Sequence, residues 1–175
     1  AVYKTKVSQF ADTKASSLGD YIPAKLGFDD GEGVVSMVNT VDYSGYMIFC
    51  FENGKVAKVP LNAYETKTNR KKLANAYSAK AKLVGMFFVQ DNAEIMLRTT
   101  NGRAMIFDTA LLMPKSTRDT IGVQVMTLKA KNAVVDKAFI VDDDTAAGLS
   151  KYRSKTIPVA GCFAKDIEDP DQMHF

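Results

Sequence analysis

Two segments of this chain read alike: Tyr46-Met-Ile-Phe-Cys-Phe-Glu-Asn-Gly-Lys-Val-Ala-Lys-Val-Pro-Leu61 and Glu94-Ile-Met-Leu-Arg-Thr-Thr-Asn-Gly-Arg-Ala-Met-Ile-Phe-Asp108. Each passes from an apolar run through Asn-Gly and a basic residue into a second apolar-rich run. Asn-Gly between strand-like runs predicts a tight hairpin, with a type I′ turn whose two central residues both take positive φ. The pairs Asn53-Gly54 and Asn101-Gly102 lie 48 residues apart. A hairpin recurring at about 40–50 residues predicts an all-β protein built from propeller-like blades.

Other matches extend the repeat. Val2–Phe10 resembles the second strand of such a hairpin, parallel to Val56–Tyr64 and Ala104–Leu112. The chain would then begin in mid-hairpin, which together with Ala1 in place of Met suggests a piece of a longer protein. After each hairpin comes a polar, usually basic connector, then a strand ending in a paired apolar step: Val34-Val35, Leu83-Val84 and Val134-Val135. A weaker fourth echo pairs Ile157-Pro158 and Phe163 with Ile22-Pro23 and Phe28. These matches divide one domain into repeats at about 1–45, 46–92 and 93–139, with a partial repeat at 140–175. The alternating apolar residues, among them Ile48, Phe49, Phe51, Val56, Val59, Ile95, Leu97, Ile106 and Phe107, should pack blade against blade.

Charge is uneven along the chain. Residues 1–139 hold 19 Lys and Arg against 13 Asp and Glu, whereas 140–175 hold 4 against 7. The densest basic run is Lys67-Thr-Asn-Arg-Lys-Lys72, in the second connector; Lys14 occupies the first, and Lys115 and Arg118 the third. Basic connectors at equivalent places in successive blades would lie side by side along one rim. Such a rim is a positive track suited to a phosphate backbone.

Catalytic and metal-binding signals are sparse. The one histidine, His174, is penultimate, and no Gly-rich phosphate loop, nucleophile elbow or paired-His motif occurs. Asp142-Asp-Asp144 and Asp29-Asp-Gly-Glu-Gly33 read as solvated turns. No catalytic residue, metal or cofactor is expected. Cys50 and Cys162 lack metal-ligand spacing and read as buried free thiols of a reducing cytoplasm. No apolar stretch approaches the ~20 residues that span a bilayer, so no membrane association is expected.

The ordered motifs Asn53-Gly-Lys-Val-Ala-Lys-Val-Pro-Leu61, Leu83-Val-Gly-Met86 and Ile95-Met-Leu-Arg-Thr-Thr-Asn-Gly-Arg-Ala-Met-Ile-Phe107 resemble the C-terminal domain of the A subunit of bacterial type IIA topoisomerases, DNA gyrase and topoisomerase IV. The resemblance covers about residues 1–140. It implies a β-pinwheel, a propeller-like disc whose four-stranded blades exchange strands, present here as about three to four blades. It also implies a domain that wraps duplex DNA around a basic rim and hands a segment to a cleavage core upstream. The partners so implied are duplex DNA, that catalytic core and the ATPase subunit of the complete ATP-dependent enzyme. The seven tyrosines follow Val, Asp, Asp, Gly, Ala, Ala and Lys, never the Arg that precedes the family's cleavage tyrosine. The fragment is therefore expected to bind DNA without cutting it. The Gln-Arg-Arg-Gly-Gly-Arg-Gly box of the gyrase version is absent. Either a further blade carried it, or the parent resembles topoisomerase IV.

The expected DNA contacts are Lys14, Lys58, Lys67, Arg70, Lys71, Lys72, Lys115 and Arg118, acting on phosphates with little base specificity. Lys55 and Arg103 at the hairpin tips fit either contacts or ordinary turn charges. The alternative is a propeller-like protein-interaction module that never touches DNA, using exposed aromatics and indifferent to the connector lysines.

Overall fold

The computed structural model describes residues 1–66, 71–142 and 148–164. In chain order its strands are β1 (Val2–Tyr3), β2 (Tyr46–Phe51), β3 (Lys55–Pro60), β4 (Lys72–Leu73), β5 (Leu83–Val89), β6 (Glu94–Thr99), β7 (Arg103–Asp108), β8 (Val123–Gln124), β9 (Val135–Ile140), β10 (Arg153–Ser154) and β11 (Cys162–Phe163). One five-residue helix, α1 (Ile22–Leu26), interrupts the first connector.

Both Asn-Gly hairpins form, as β2–β3 and β6–β7. Their turns differ from the expected type I′. Gly54 donates its amide to the Phe51 carbonyl at 3.0 Å, and Gly102 donates to Thr99 at 2.9 Å. Both glycines sit at φ 75°, while Asn53 and Asn101 are not among the residues with positive φ. Each loop therefore has three residues, a type I turn followed by a left-handed glycine. The extra residue relieves asparagine of the strained conformation, and the Asn53 carboxamide oxygen instead accepts the Lys55 amide at 3.1 Å.

The strand order is β5-β2-β3-β8 in the first sheet and β9-β6-β7-β10 in the second, where β11 also pairs with β7. The third sheet is the two-stranded β1–β4. The outer strands come from later in the chain. The connector after the second hairpin supplies β8 to β3, and 162–163 supply β11 to β7. In the same way β4, after the first hairpin, pairs with β1. Each unit thus lends its outermost strand to the one before it. Both complete sheets also carry a bulge at matching places, opposite Cys50/Phe51 and Arg98/Thr99.

This exchange explains β1. It takes the place of a second hairpin strand, and single 3-10 turns follow all three such strands at Val7–Gln9, Leu61–Tyr64 and Thr109–Leu111. The strand read over Val2–Phe10 shortens to Val2–Tyr3. Val34-Val35 was expected as a strand but lies in coil, 45% and 73% exposed. Its counterparts β5 and β9 pair with the first strand of their own hairpin. Among the described residues no such strand accompanies β1, and 34–35 pairs with none. The echo between Ile22-Pro23 and Ile157-Pro158 is likewise corrected. The former begins α1, and the latter is a coil with a cis peptide bond. What repeats is Cys162-Phe163, in the position of Val123-Gln124.

Alternation along the hairpins sorts the apolar side chains into three layers. Ile48, Cys50 and Val56 of the first sheet meet Ile95, Leu97, Met105 and Phe107 of the second, forming the core between blades. Met47, Phe49, Phe51, Ala57 and Val59 face the other way, toward Leu73 and Val2 of the small sheet. Met96, Ala104 and Ile106 are covered by Val141 and Tyr152. A translation of 48 residues moves Ala57 and Val59 onto Met105 and Phe107, one layer along. Burial raises the pKa of the Cys50 thiol. Cys162, expected to be buried, is exposed because β11 lies at a sheet edge. Among the described residues no helix is long and apolar enough to cross a membrane.

Candidate nucleic-acid interface

Strands β1, β3 and β7 are equivalent, and a connector lies along the same edge of each. On β1 it is 71–73, where Lys4 donates its amide to the Lys71 carbonyl at 2.7 Å. On β3 it is 115–124, entering where Lys115 donates to the Lys58 carbonyl at 2.8 Å and leaving as β8. On β7 it is 153–163. The connectors thus form one rim across the successive units.

Two glycines let the connectors come this close. Gly122 precedes β8 and Gly161 precedes β11, with φ of 72° and 69°. A Cβ on Gly122 would sit 2.3 Å from the Val56 carbonyl oxygen, and one on Gly161 would sit 2.5 Å from that of Ala104.

The expected contact residues divide. Lys71 and Lys115 are exposed on this rim. Lys14 is also exposed, but it opens a turn outside the sheets, its carbonyl accepting the Ser17 amide at 2.9 Å, so it is not aligned with them. Lys67 and Arg70 lie outside the described residues, as do Asp143, Asp144 and His174.

Lys72 is exposed only in part. Its ammonium contacts Asp29 Oδ2 at 2.5 Å and Glu32 Oε1 at 3.3 Å, above the ring of Tyr3. The acidic turn read as merely solvated is thus a clamp on this lysine, with Phe28 stacked on Tyr3 at 4.2 Å. The Tyr3 hydroxyl donates to Glu32, as does the Asp29 amide. These bonds, then the Lys72 ammonium, hold the Glu32 carboxyl at about 2. A carboxyl depressed in the folded state stabilises fully above its unfolded value, near 4.5, and the contribution vanishes as pH falls through about 2. The clamp is therefore expected to loosen between those limits, read by NMR as a pH-dependent shift of the Tyr3 ring that Glu32→Gln removes.

Lys58, expected among the DNA contacts, lies off the rim. It alternates onto the face of Val56, is 5% exposed, and points between the blades. Its ammonium donates to Asn92 Oδ1 at 2.8 Å and to the Thr109 carbonyl at 3.0 Å, 4.5 Å from the centre of the Tyr46 ring. Burial lowers its pKa, opposed by Asp108. Lys58→Ala removes the charged donor from Asn92 and from the Thr109 carbonyl, which keeps the Leu112 amide at 3.1 Å, and is expected to cost about 1–3 kcal/mol. Duplex retention of the folded variant, measured in low salt, should match wild type.

Arg118 is also structural. Nη1 donates to the Ala63 carbonyl at 3.0 Å and Nη2 to that of Ala74 at 3.4 Å, binding the third connector to the second. Its guanidinium carbon stands 5.9 Å from the centre of the Tyr64 ring. Tyr64 in turn donates to the Ala76 carbonyl at 2.7 Å.

The sequence reading missed the connector along β7. Residues 148–164 hold Lys151, Arg153 and Lys155 and no Asp or Glu. Arg153 pairs with Glu94 at 2.7 Å, whereas Lys155 is exposed. The signal was present but hidden, because the net charge was taken over 140–175, whose acids lie on either side of this stretch. Among the described residues no group of three His, Cys, Asp or Glu could hold a metal.

Among the described residues a four-stranded and a five-stranded blade, a partial third and the lending of outer strands define a β-pinwheel. Over most of its length the chain is similar to the C-terminal domain of the A subunit of DNA gyrase and topoisomerase IV. It is 25% identical over 148 residues to the DNA gyrase A subunit of Haloquadratum walsbyi, covering 81% of this chain and 17% of that protein. The gyrase A protein of Deinococcus deserti is 28% identical over 140 residues, covering 79% and 17%. That of Buchnera aphidicola subsp. Baizongia pistaciae is 30% identical over 138 residues, covering 77% and 16%. The chain thus spans about one sixth of the length of these relatives. The crystal structure of the C-terminal domain of DNA topoisomerase IV superposes with a TM-score of 0.59 at 25% identity, over 72% of this chain and 39% of that one. A DNA gyrase A C-terminal domain superposes with the same TM-score at 18% identity, over 81% and 51%, a likeness of fold. No family model matches the chain.

Proposed function

We propose that this pinwheel binds duplex DNA along its connector rim, bends it without cutting it, and presents it to a topoisomerase cleavage core on the same polypeptide. The observation that carries this reading is the placement of three connectors on one edge of successive units, with Lys71, Lys115 and Lys155 exposed along it. Similarity to gyrase and topoisomerase IV supports DNA as the polyanion. Lys14, Lys67 and Arg70 belong to the same proposal, and Lys72 joins once it exchanges Asp29 and Glu32 for a phosphate. Among the described strands and the one short helix, none is shaped to enter a major groove, so contacts go to the backbone with little base preference. Bending 20–30 bp smoothly costs of order 1–6 kcal/mol, which several phosphate contacts offset. In the complete enzyme the further partner would be the ATPase subunit, and the setting the cytoplasm.

The test is topological. Nicked circles ligated in the presence of the chain should show a shifted linking number. Lys71, Lys115 and Lys155 changed together to Gln should reduce that shift. Ligation without any shift would contradict wrapping. One observation favours the protein-interaction reading: Val35, Met37 and Val41 form an exposed apolar run beside the small sheet. Failure to retain duplex even at low salt would leave that reading in possession.

A further inference from the structure

We propose that a shallow pocket at the tip of the β2–β3 hairpin, separate from the aligned rim lysines, is a binding site for one phosphate group. The opening is about 110 Å³, lined by Phe51, Asn53, Lys55, Ser78, Lys80 and Ile121. Drug-sized ligands occupy about 300–1,000 Å³, so only a small group fits.

Its polar atoms are donors in search of an acceptor. Among the described residues the ammonium groups of Lys55 and Lys80 have no ion-pair or hydrogen-bond partner. The Asn53 carboxamide oxygen is taken by the Lys55 amide, which leaves its NH₂ group to donate. Ser78 is 3% exposed. Its hydroxyl accepts the Lys80 amide at 3.4 Å and donates to no described residue. No carboxylate lines the pocket. The nearby Glu52 accepts the Lys82 amide at 3.2 Å. Phe51 is buried and Ile121 lines the opening, so an anion held there meets apolar side chains and charge-assisted bonds gain strength.

The second hairpin shows what the first lacks. Arg103 stands 48 residues after Lys55. It donates Nη1 to the Gly161 carbonyl at 2.8 Å, with its guanidinium carbon 4.1 Å from the centre of the Phe163 ring. That cation is spent internally, whereas Lys55 and Lys80 are not. The phosphate can be a free ion or a phosphodiester of nucleic acid; the donors serve both.

The experiment follows backbone amides by NMR while inorganic phosphate, and separately a short DNA duplex, is added at low salt. Wild type, Lys55→Gln/Lys80→Gln and Ile121→Glu are compared, with thermal midpoints as the folding control. Saturable shifts at Asn53, Lys55, Ser78 and Ile121 with phosphate are expected. The double variant should weaken them about tenfold or more, and Ile121→Glu should abolish them. Shifts there with duplex but not with phosphate would identify a phosphodiester as the ligand. If phosphate saturates the pocket but duplex does not bind, the pocket stands and the rim reading falls. If neither probe moves these amides, or both variants respond as wild type does, the pocket is refuted, even where duplex still binds the rim.

Discussion

Gly122→Ala is expected to detach β8 from the first blade and lower stability by about 3 kcal/mol or more. Two costs add. The backbone there is left-handed, at φ 72°, where a side chain costs on the order of 1–3 kcal/mol. The new methyl would also stand 2.3 Å from the Val56 carbonyl oxygen, which is main chain within the hairpin. A flexible side chain could yield; this strand cannot without breaking the pairing of Val56 with Val123. Gly27→Ala separates the two costs. Gly27 is also left-handed, at φ 65°, but no described atom lies within 4 Å of its added Cβ. That variant should lose only about 1 kcal/mol. Urea denaturation of both measures the difference, and equal losses would show that the close approach contributes nothing.

Phe107→Ala is expected to cost about 3–5 kcal/mol. Phe107 is 0% exposed and pairs with Ile95 on β6, facing the layer shared with Ile48 and Val56. Truncation leaves a cavity between two rigid sheets, which relax inward poorly because each is held by its own ladder. The loss should fall on the union of the blades. Hydrogen exchange in β2, β3, β6 and β7 is therefore expected to quicken together. Exchange that quickens only in β6 and β7 would mean the blades are independent.

What could be read from the sequence was what local chemistry writes there. The hairpins were legible because Asn-Gly and two-residue alternation are short-range signals. Their spacing made the repeat visible. The exchanged strands were not legible, since β8 and β11 are two residues long and share with each other only the glycine before them. Their partners lie far away in sequence, and no local propensity marks the pairing. The loop geometry was mistaken because counting one residue more or less changes the turn type while leaving Asn-Gly unchanged. Lys58 was misplaced by its charge alone. Val56-Ala-Lys58-Val puts it on the same face as Val56, and that alternation foretold burial more reliably than the lysine foretold exposure. The Asp29 to Glu32 turn looked idle because the lysine it holds is 43 residues from Asp29 and 40 from Glu32.

The most direct measurement is the salt dependence of duplex affinity, for wild type and for Lys71, Lys115 and Lys155 changed together to Gln. A rim that meets phosphates through these lysines predicts a steep fall of log K with log salt in wild type. Each contact removed should reduce the slope by about 0.9. Slopes that coincide for the two proteins, or no binding of wild type even at low salt, would contradict the account.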